Sequence, residues 1–208
     1  MEKRIYFVRH GESEGNAGVM RQPLDSPLTK KGAEQAAFIA KRVARLPFDA
    51  LISSTLKRAV ETAHMIEEET GKTTEYSDLF VERRRPSITY GILKTDPIGL
   101  AADREVTENF DKPGYRHSDE ENFDDLKARA AAALAYLLER PEQRLVVVTH
   151  GFFLRIVAAY AIFGSRLTGH ECEQVIRTLR MENTGLTILD QTGQGWIMRT
   201  WNDHAHLG

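Results

Sequence analysis

The chain has 208 residues, 41% of them hydrophobic and 28% charged, a composition that excludes a disordered or fibrous protein and indicates a globular one. The chain has 28 Lys and Arg and 30 Asp and Glu, which gives a formal charge of -2. This charge excludes a global basic field that would attract nucleic acid or anionic membranes. No stretch approaches the ~20 apolar residues of a membrane span, and the start has too few apolar residues for a signal peptide.

The first half of the chain alternates strand-like and helix-like patterns. The predicted elements are a buried strand over 4–8, a loop over 11–29, a helix over 30–46, a strand over 48–54 and a helix over 55–71. In both helices apolar residues recur every three or four positions. Pro47 follows the first helix, and Gly71 ends the second. Alternation of this kind predicts an α/β fold with a parallel sheet.

The second half begins with a segment over 87–117 that has no sustained period, and we expect a helical or loop insertion that covers a site. Ser118 and Glu121 predict a capping box. The elements predicted after it are a helix from Ser118 to before Pro141, a strand over 144–149, a helix over 151–164, and two strands over 185–191 and 195–201 that form a hairpin around 192–194. The ending WNDHAHLG is predicted to be a loose tail without chemistry. We expect one domain over 1–208.

Two predicted strands run directly into His-Gly. His10 follows the strand over 4–8, and His150 follows the strand over 144–149. Since ligands of open α/β sheets bind at the carboxyl ends of the strands, both histidines are expected at one site. Arg9 lies beside His10, and the strand over 48–54 leads within one helical turn to Arg58. The sequence therefore predicts two histidines and two arginines at one place.

This combination of residues suits a phosphoryl group. Arginine forks match its oxygens, so Arg9 and Arg58 are expected to bind it. A neutral imidazole is nucleophilic near neutral pH because its reference pKa is ~6.5, so one histidine can form a phosphohistidine while the other donates a hydrogen bond to the developing charge. Asn16 offers an amide donor. Gly11 and Gly151 are expected to permit a close backbone approach.

The leaving oxygen needs a proton, and hydrolysis of the adduct needs a deprotonated water, so one carboxyl group is expected to alternate as acid and base. Glu82, after the next strand-like segment, is the first candidate, and Glu12 is the alternative. Three arginines over 83–85 follow Glu82. A solvated face is the simpler interpretation of this run, and a clamp for a second anionic group of the substrate is the alternative.

Four motifs occur along the chain in the order RHGESEGN, SSTLKRAVETA, LFVERRRPS and VTHG. Together they resemble the histidine phosphatase superfamily, whose founding members are phosphoglycerate mutases and fructose-bisphosphate phosphatases. The resemblance implies a three-layer α/β/α sandwich with a mostly parallel central sheet. It also implies that His10 is the phosphorylated nucleophile and Glu82 the proton donor. The implied phosphate pocket consists of Arg9, Arg58, His150 and Asn16.

The function that this resemblance implies is a phosphatase that hydrolyses phosphate monoesters through a phosphohistidine, without metal or cofactor. Two alternatives stay open: mutase-type phosphoryl transfer, and a catalytically silent phosphate-binding module. The expected partner is a small phosphorylated metabolite, with no nucleic acid and no membrane, and a homodimer is left open. The single cysteine, Cys172, gives no internal disulfide and suits a reducing compartment, so we expect a cytoplasmic protein.

Overall fold

The computed structural model describes residues 2–21 and 24–208, and its centre is a six-stranded sheet in the order β3-β2-β4-β1-β5-β6. The strands are β1 Lys3–Arg9, β2 Ala50–Ser53, β3 Thr74–Tyr76, β4 Arg144–Thr149, β5 Leu186–Thr192 and β6 Gly195–Asp203. The helices are α1 Glu14–Ala17, α2 Lys30–Val43, α3 Lys57–Thr70, α4 Pro97–Glu108, α5 Phe123–Glu139, α6 Gly151–Phe163 and α7 Gly169–Thr178. Within the described ranges, no helix is both long enough and apolar enough to cross a bilayer.

Strand direction in the sheet follows the connections between strands. Strands β3, β2, β4 and β1 are mutually parallel, because helices join them along the chain. Strand β5 runs antiparallel to β1, and β6 pairs with β5 as a hairpin in which Thr192 faces Gly195. The mostly parallel sheet and the terminal hairpin are therefore both confirmed.

Helices cover both faces of the sheet. Successive side chains of a strand point to opposite faces, so Ile5 and Phe7 lie in one hydrophobic cluster and Tyr6 and Val8 in another. The first cluster contains residues of α5, α6 and α7, and the second contains residues of α2 and α3. This arrangement confirms the three-layer α/β/α sandwich.

The long helix α5 begins later than its sequence predicts. Its N-cap is Asn122, whose side chain accepts the Asp125 N–H while the Asp125 carboxylate accepts the Asn122 N–H. The capping box predicted at Ser118 and Glu121 is wrong, because both side chains are bound to other residues. Ser118 bonds to the Glu120 carboxylate, and the Glu121 carboxylate pairs with an arginine of α5 at 2.8 Å.

The segment over 87–117 contains helix α4 between turns and loops. Asp96 caps α4 by accepting the Ile98 N–H, and Pro97 occupies its first position, where no N–H is needed. This segment supplies one wall of the cavity described below. Helix α7 had no counterpart in the sequence prediction, although its cap is the regular Thr-x-x-Glu box of Thr168 and Glu171.

The chain terminus is bound to the body of the protein rather than loose. Asp203 forms an ion pair with Arg42 of α2. The Nε2 atom of His206 lies 3.0 Å from the hydroxyl of Thr184. The prediction of a loose tail is therefore wrong: a short polar segment gave no apolar signal, yet its side chains find charged and hydroxyl partners.

Candidate active site

Sheet register places the two histidines side by side. In the parallel pair of β1 and β4, Arg9 is the register partner of Thr149, so the next residues along both strands are His10 and His150. The His10 N–H donates to the Thr149 carbonyl at 3.0 Å. Both imidazoles are buried, with ring centroids 4.9 Å apart and planes inclined by 55°. The structure thus brings together the two residues that the sequence placed at strand ends.

Hydrogen bonds fix which nitrogen of His10 carries the lone pair. Its Nδ1 lies 2.6 Å from the Gly11 carbonyl, which can only accept, so Nδ1 is protonated. Its Nε2 then accepts a hydrogen bond from Nε of Arg58 at 3.0 Å. Burial lowers the pKa of His10 well below its ordinary value, and the charges of Arg58 and Arg9 lower it further. His10 is therefore a neutral imidazole whose Nε2 is the nucleophilic atom.

The orientation of His150 is set by Ser54, which lies just past the end of β2. The Ser54 hydroxyl accepts the Leu56 N–H at 3.2 Å and lies 2.8 Å from His150 Nε2. The hydroxyl proton has no other acceptor among the described residues, and we infer that it is donated to Nε2, which places the proton of His150 on Nδ1. That buried Nδ1–H has no protein acceptor in the described part of the chain. Burial, followed by Arg58 and His10, lowers the pKa of His150, so His150 offers a neutral donor.

Two arginines lie against these histidines. Arg58, in the first turn of α3, also donates to the Leu24 carbonyl, and Arg9 donates to the Met181 carbonyl. The buried Nε of Arg9 has no partner among the described residues. Burial lowers the pKa of both arginines, whereas the nearby carboxylate of Glu82 raises it. Both guanidinium groups border the cavity and are oriented by backbone carbonyls.

The glycines after the histidines serve packing inside the protein. A Cβ on Gly11 would lie 2.3 Å from the carbonyl oxygen of Gly32 in α2. A Cβ on Gly151 would lie 3.0 Å from Nε of Arg9. The expected close approach is thus real, but the approaching groups are a helix backbone and the arginine side chain. These glycines let α2 and Arg9 reach their positions.

Asn16 borders the same cavity and serves a local turn as well. Its Oδ1 accepts from the Ser13 N–H at 3.4 Å and the Ser13 hydroxyl at 3.2 Å, which leaves its Nδ2 as a donor facing no described partner. Asn183 was not predicted: its Nδ2 donates to the His10 carbonyl at 3.0 Å from a loop 173 residues away in sequence. Asn183 fastens the His10 backbone, and Asn16 retains the donor that the sequence assigned to it.

The two candidate carboxylates have different surroundings. Glu82 borders the cavity, and its oxygens accept the N–H groups of Phe152 at 3.1 Å, Phe153 at 3.0 Å and Arg83 at 2.9 Å. Phe152 and Phe153 lie in the first turn of α6, whose positive end attracts a carboxylate. Glu12 instead pairs with Lys31 at 3.1 Å and is not among the described residues that border the cavity. The geometry favours Glu82 over Glu12.

The cavity in front of His10 has a volume of about 450 Å³. Its described lining contains six basic residues, which are Arg9, Arg21, Arg58, Arg83, Arg85 and Lys94. Two acidic residues, Glu82 and Asp103, also line it, and the segment over 87–117 adds Thr89, Tyr90 and Leu100. Of the arginines over 83–85, Arg84 and Arg85 are exposed, as a solvated face requires, whereas Arg83 is half-buried; Arg83 and Arg85 also line the cavity.

The sheet is covered by helices, and at its strand ends His10 borders an arginine-lined cavity while His150 is buried beside His10. These features define an α/β protein with an anion site suited to phosphate. The family model of the histidine phosphatase superfamily (branch 1) matches residues 5–204, and this chain belongs to that superfamily.

Two curated relatives are similar to nearly the whole chain. The chain is 33% identical over 217 residues to a protein of Photorhabdus laumondii named "Probable phosphoglycerate mutase GpmB", with 98% of this chain and 94% of the relative covered. It is 31% identical over 216 residues to the protein of the same name from Enterobacter sp., with the same coverage.

Solved structures share the fold at lower identity. A phosphoserine phosphatase of Entamoeba histolytica, in complex with 3-phosphoglyceric acid, has a TM-score of 0.79 at 21% identity, with 99% of this chain and 100% of that chain covered. A mycobacterial glucosyl-3-phosphoglycerate phosphatase has a TM-score of 0.78 at 22% identity, with 97% and 99% covered. At these identities the likeness establishes the fold.

Proposed function

We propose that this protein is a phosphatase that hydrolyses phosphate monoesters through a phosphohistidine on His10. The observation that carries the proposal is the fixed tautomer of His10. Its Nδ1–H is bound to the Gly11 carbonyl, so the lone pair is on Nε2, which lies 3.0 Å from Nε of Arg58. A neutral nucleophile among guanidinium groups is the arrangement that attack on a phosphoryl anion requires. Membership of the histidine phosphatase superfamily supports it.

In the first step the phosphoryl group binds between Arg9, Arg58, the Nδ1–H of His150 and the amide of Asn16. His10 Nε2 attacks phosphorus, and the bond from phosphorus to the ester oxygen breaks with its electrons on that oxygen. Glu82, in its protonated form, gives the leaving oxygen its proton. Fixed donors around the equatorial oxygens stabilise the transition state, and alignment of the reacting atoms lowers the entropic barrier.

In the second step water replaces the departed alcohol. The Glu82 carboxylate takes a proton from water, whose oxygen attacks phosphorus as the bond from phosphorus to Nε2 breaks. The electron pair returns to His10, and inorganic phosphate leaves. Since Glu82 then carries the proton again, the cycle closes without a change in the protein. Guanidinium groups supply the positive charge in both steps, so we expect turnover to persist in excess chelator.

The experiment is hydrolysis of p-nitrophenyl phosphate in excess chelator by wild type and by His10→Ala. Alkaline-quenched protein is then analysed for a phosphoryl group on His10. His64→Ala is the matched control, because His64 is an exposed histidine on α3 that pairs with Glu68. We expect His10→Ala to abolish phosphate release and the adduct, and His64→Ala to retain both. Full activity of His10→Ala, or adduct at another residue, refutes the proposal.

Mutase activity is the second candidate, because the curated relatives carry the name of a phosphoglycerate mutase. A mutase must keep its phosphohistidine intact until a hydroxyl group of the substrate accepts the phosphoryl group. Release of inorganic phosphate from 3-phosphoglycerate, without formation of its 2-isomer, supports the phosphatase, whereas isomer formation supports the mutase. Phosphate binding without turnover of any ester would support the remaining alternative, a catalytically silent phosphate-binding module.

The substrate proposed here is a small phosphorylated metabolite. A cavity of about 450 Å³ falls in the range of sites for small ligands, and the segment over 87–117 forms part of its wall. A bulky protein substrate would have to pass this wall to reach His10. Location in the cytoplasm stays a prediction from the cysteine content.

A further inference from the structure

The loop between α7 and β5 contains a turn over 182–185, in which the Gly185 N–H donates to the Glu182 carbonyl at 3.1 Å. Its third residue, Thr184, has a φ of 57°, in the left-handed region that favours glycine. Because Thr184 is branched at Cβ, this backbone conformation is costly and persists only where surrounding contacts hold it. Thr184 is fully buried, so such contacts surround it.

One side of this turn is bonded to the end of β1. The Thr184 N–H donates to the Arg9 carbonyl at 3.0 Å and to the His10 carbonyl at 3.3 Å. The His10 carbonyl also accepts from the side chain of Asn183. The Arg9 guanidinium donates to the carbonyl of Met181, the residue just before the turn. The turn therefore sets the backbone position of the proposed nucleophile and the direction of one guanidinium group of the phosphate site.

The other side of the turn is bonded to the last residues of the chain. The side-chain oxygen of Asn202 accepts the Glu182 N–H at 2.8 Å. His206 is half-buried, and its Nε2 lies 3.0 Å from the Thr184 hydroxyl. The strained threonine thus lies between the terminal segment and the end of β1.

Hydrogen bonds fix which nitrogen of His206 carries the proton. The Thr184 hydroxyl donates to the Asn183 carbonyl at 2.7 Å, so it accepts from His206 Nε2. Arg42 can only donate, and its Nη1 lies 3.3 Å from His206 Nδ1, so Nδ1 carries the lone pair. Burial, followed by the charge of Arg42, lowers the pKa of His206. A neutral ring therefore donates its one N–H to Thr184.

We propose that His206 is a positioning residue of the phosphate site. Its Nε2–H holds Thr184 in the left-handed conformation, and the turn in that conformation holds Arg9 and His10 in place for a phosphoryl group. The inference rests on the proposed function for the identity of the site, and the same contacts would position these groups for a phosphate that is bound without being hydrolysed.

The test compares wild type with His206→Met, His206→Gln and His204→Met. Methionine keeps an unbranched side chain and removes the N–H, whereas the glutamine amide can donate in place of Nε2. His204 is the matched control, because it is an exposed histidine two residues away in the same segment. Each protein is titrated calorimetrically with inorganic phosphate and assayed with p-nitrophenyl phosphate, at a temperature well below its unfolding midpoint.

We expect His206→Met to raise the dissociation constant of phosphate and to lower kcat/KM, each by about three- to tenfold, which corresponds to the loss of one hydrogen bond. His206→Gln should restore most of both values, and His204→Met should match wild type. A merely structural role gives a different result, because loss of folded protein lowers the number of phosphate sites per chain and leaves the dissociation constant unchanged. That result, or equal losses in the methionine and glutamine variants, overturns the inference.

Thr184→Val breaks the same contact from the other side, since valine keeps the shape of threonine and removes the hydroxyl. We expect a similar rise in the dissociation constant of phosphate. The double variant with His206→Met should bind no more weakly than either single variant, because both changes remove one interaction. Additive losses overturn the inference. If His206→Met does not fold, Thr184→Val alone decides, and wild-type phosphate affinity of that variant overturns the inference.

Phosphate binding separates failure of this inference from failure of the proposed function. If wild type hydrolyses no ester but binds phosphate in a manner that depends on the His206 N–H, the phosphatase is wrong and the positioning role stands. If hydrolysis depends on His10 while phosphate affinity and kcat/KM are independent of His206, the phosphatase stands and the inference is wrong. Absence of measurable phosphate binding by wild type also overturns the inference.

Discussion

The burial of two neutral histidines at the strand ends should lower the free energy of unfolding in acid. His10 and His150 both have a pKa well below the ordinary value, with burial as the largest cause. In the unfolded chain both side chains regain a pKa of ~6.5. A group whose folded pKa is lowered stabilises the protein above its unfolded pKa, and this contribution is lost as the pH falls. We therefore predict a loss of stability below pH ~6.5 that these two residues cause.

The size of the effect follows from proton linkage. Between pH ~7.5 and ~5.5 an unfolded histidine goes from about one-tenth to about nine-tenths protonated, while a buried one takes up almost no proton. The free energy of unfolding then falls by about 1.4 kcal/mol for each such histidine, or about 2.7 kcal/mol for the pair. Replacing His10 by asparagine should remove about half of the pair's contribution.

The assay is urea unfolding at both pH values in buffers free of phosphate, for wild type, His10→Asn and His150→Asn. The quantity compared is the change in unfolding free energy between the two pH values, so a general loss of stability in a variant cancels. His206 has a lowered pKa as well, and its contribution is common to all three proteins. An unchanged pH dependence in both variants would mean that the histidines titrate normally, and the neutral nucleophile would then be wrong.

Three further predictions concern the same site. Glu82→Gln should lower kcat/KM by about 10²- to 10⁴-fold for alkyl phosphates but little for p-nitrophenyl phosphate, whose leaving group needs no proton, while Glu12→Gln should match wild type in both assays. Ser54→Ala should lower kcat/KM roughly tenfold for all esters, because His150 loses the partner that fixes its protonated nitrogen. Gly11→Ala should lower the free energy of unfolding by ~1–3 kcal/mol in urea, because the new Cβ meets the backbone of α2.

Each of these predictions has a contrary result. Equal losses on alkyl and p-nitrophenyl esters would assign Glu82 to binding rather than proton transfer. Wild-type kinetics of Ser54→Ala would show that another group sets the tautomer of His150. Wild-type stability of Gly11→Ala would show that α2 can move by the required distance at no cost.

The sequence predicted the sheet and the histidine pair because both depend on local signals and one general rule. Apolar runs marked β1 and β4, and the carboxyl ends of parallel strands meet at one edge of a sheet, so His10 and His150 could be placed together before any coordinates. The start of α5 could not be placed in this way. Ser118 and Asn122 are both good N-caps, and the side-chain contacts that decide between them are the Ser118 bond to Glu120 and the Asn122–Asp125 capping box.

The sequence could not predict the role of a site residue where that role depends on a partner far away in the chain. The sequence indicated Glu82 as the first candidate and Glu12 as the alternative, and the ion pair of Glu12 with Lys31 distinguishes them. Ser54 and His150 are 96 residues apart, so nothing in the local pattern connects them. The arginines over 83–85 look alike in sequence, and distant partners distinguish them. The Arg83 side chain lies over Phe152, whereas Arg84 donates to the Asp119 carbonyl and Arg85 pairs with Asp103.

The pairing of β1 with β4 positions the reactive histidines independently of the residues that form the cavity wall. The spacing of the reactive imidazoles is fixed by backbone pairing deep in the sheet, where a slip of one residue would turn the side chains of a strand toward the opposite hydrophobic cluster. One wall of the cavity comes from Arg83, Arg85 and the segment over 87–117, outside that sheet. Changes in this wall can therefore redirect selectivity toward a new ester while the chemistry stays as it is, so one scaffold can supply many activities.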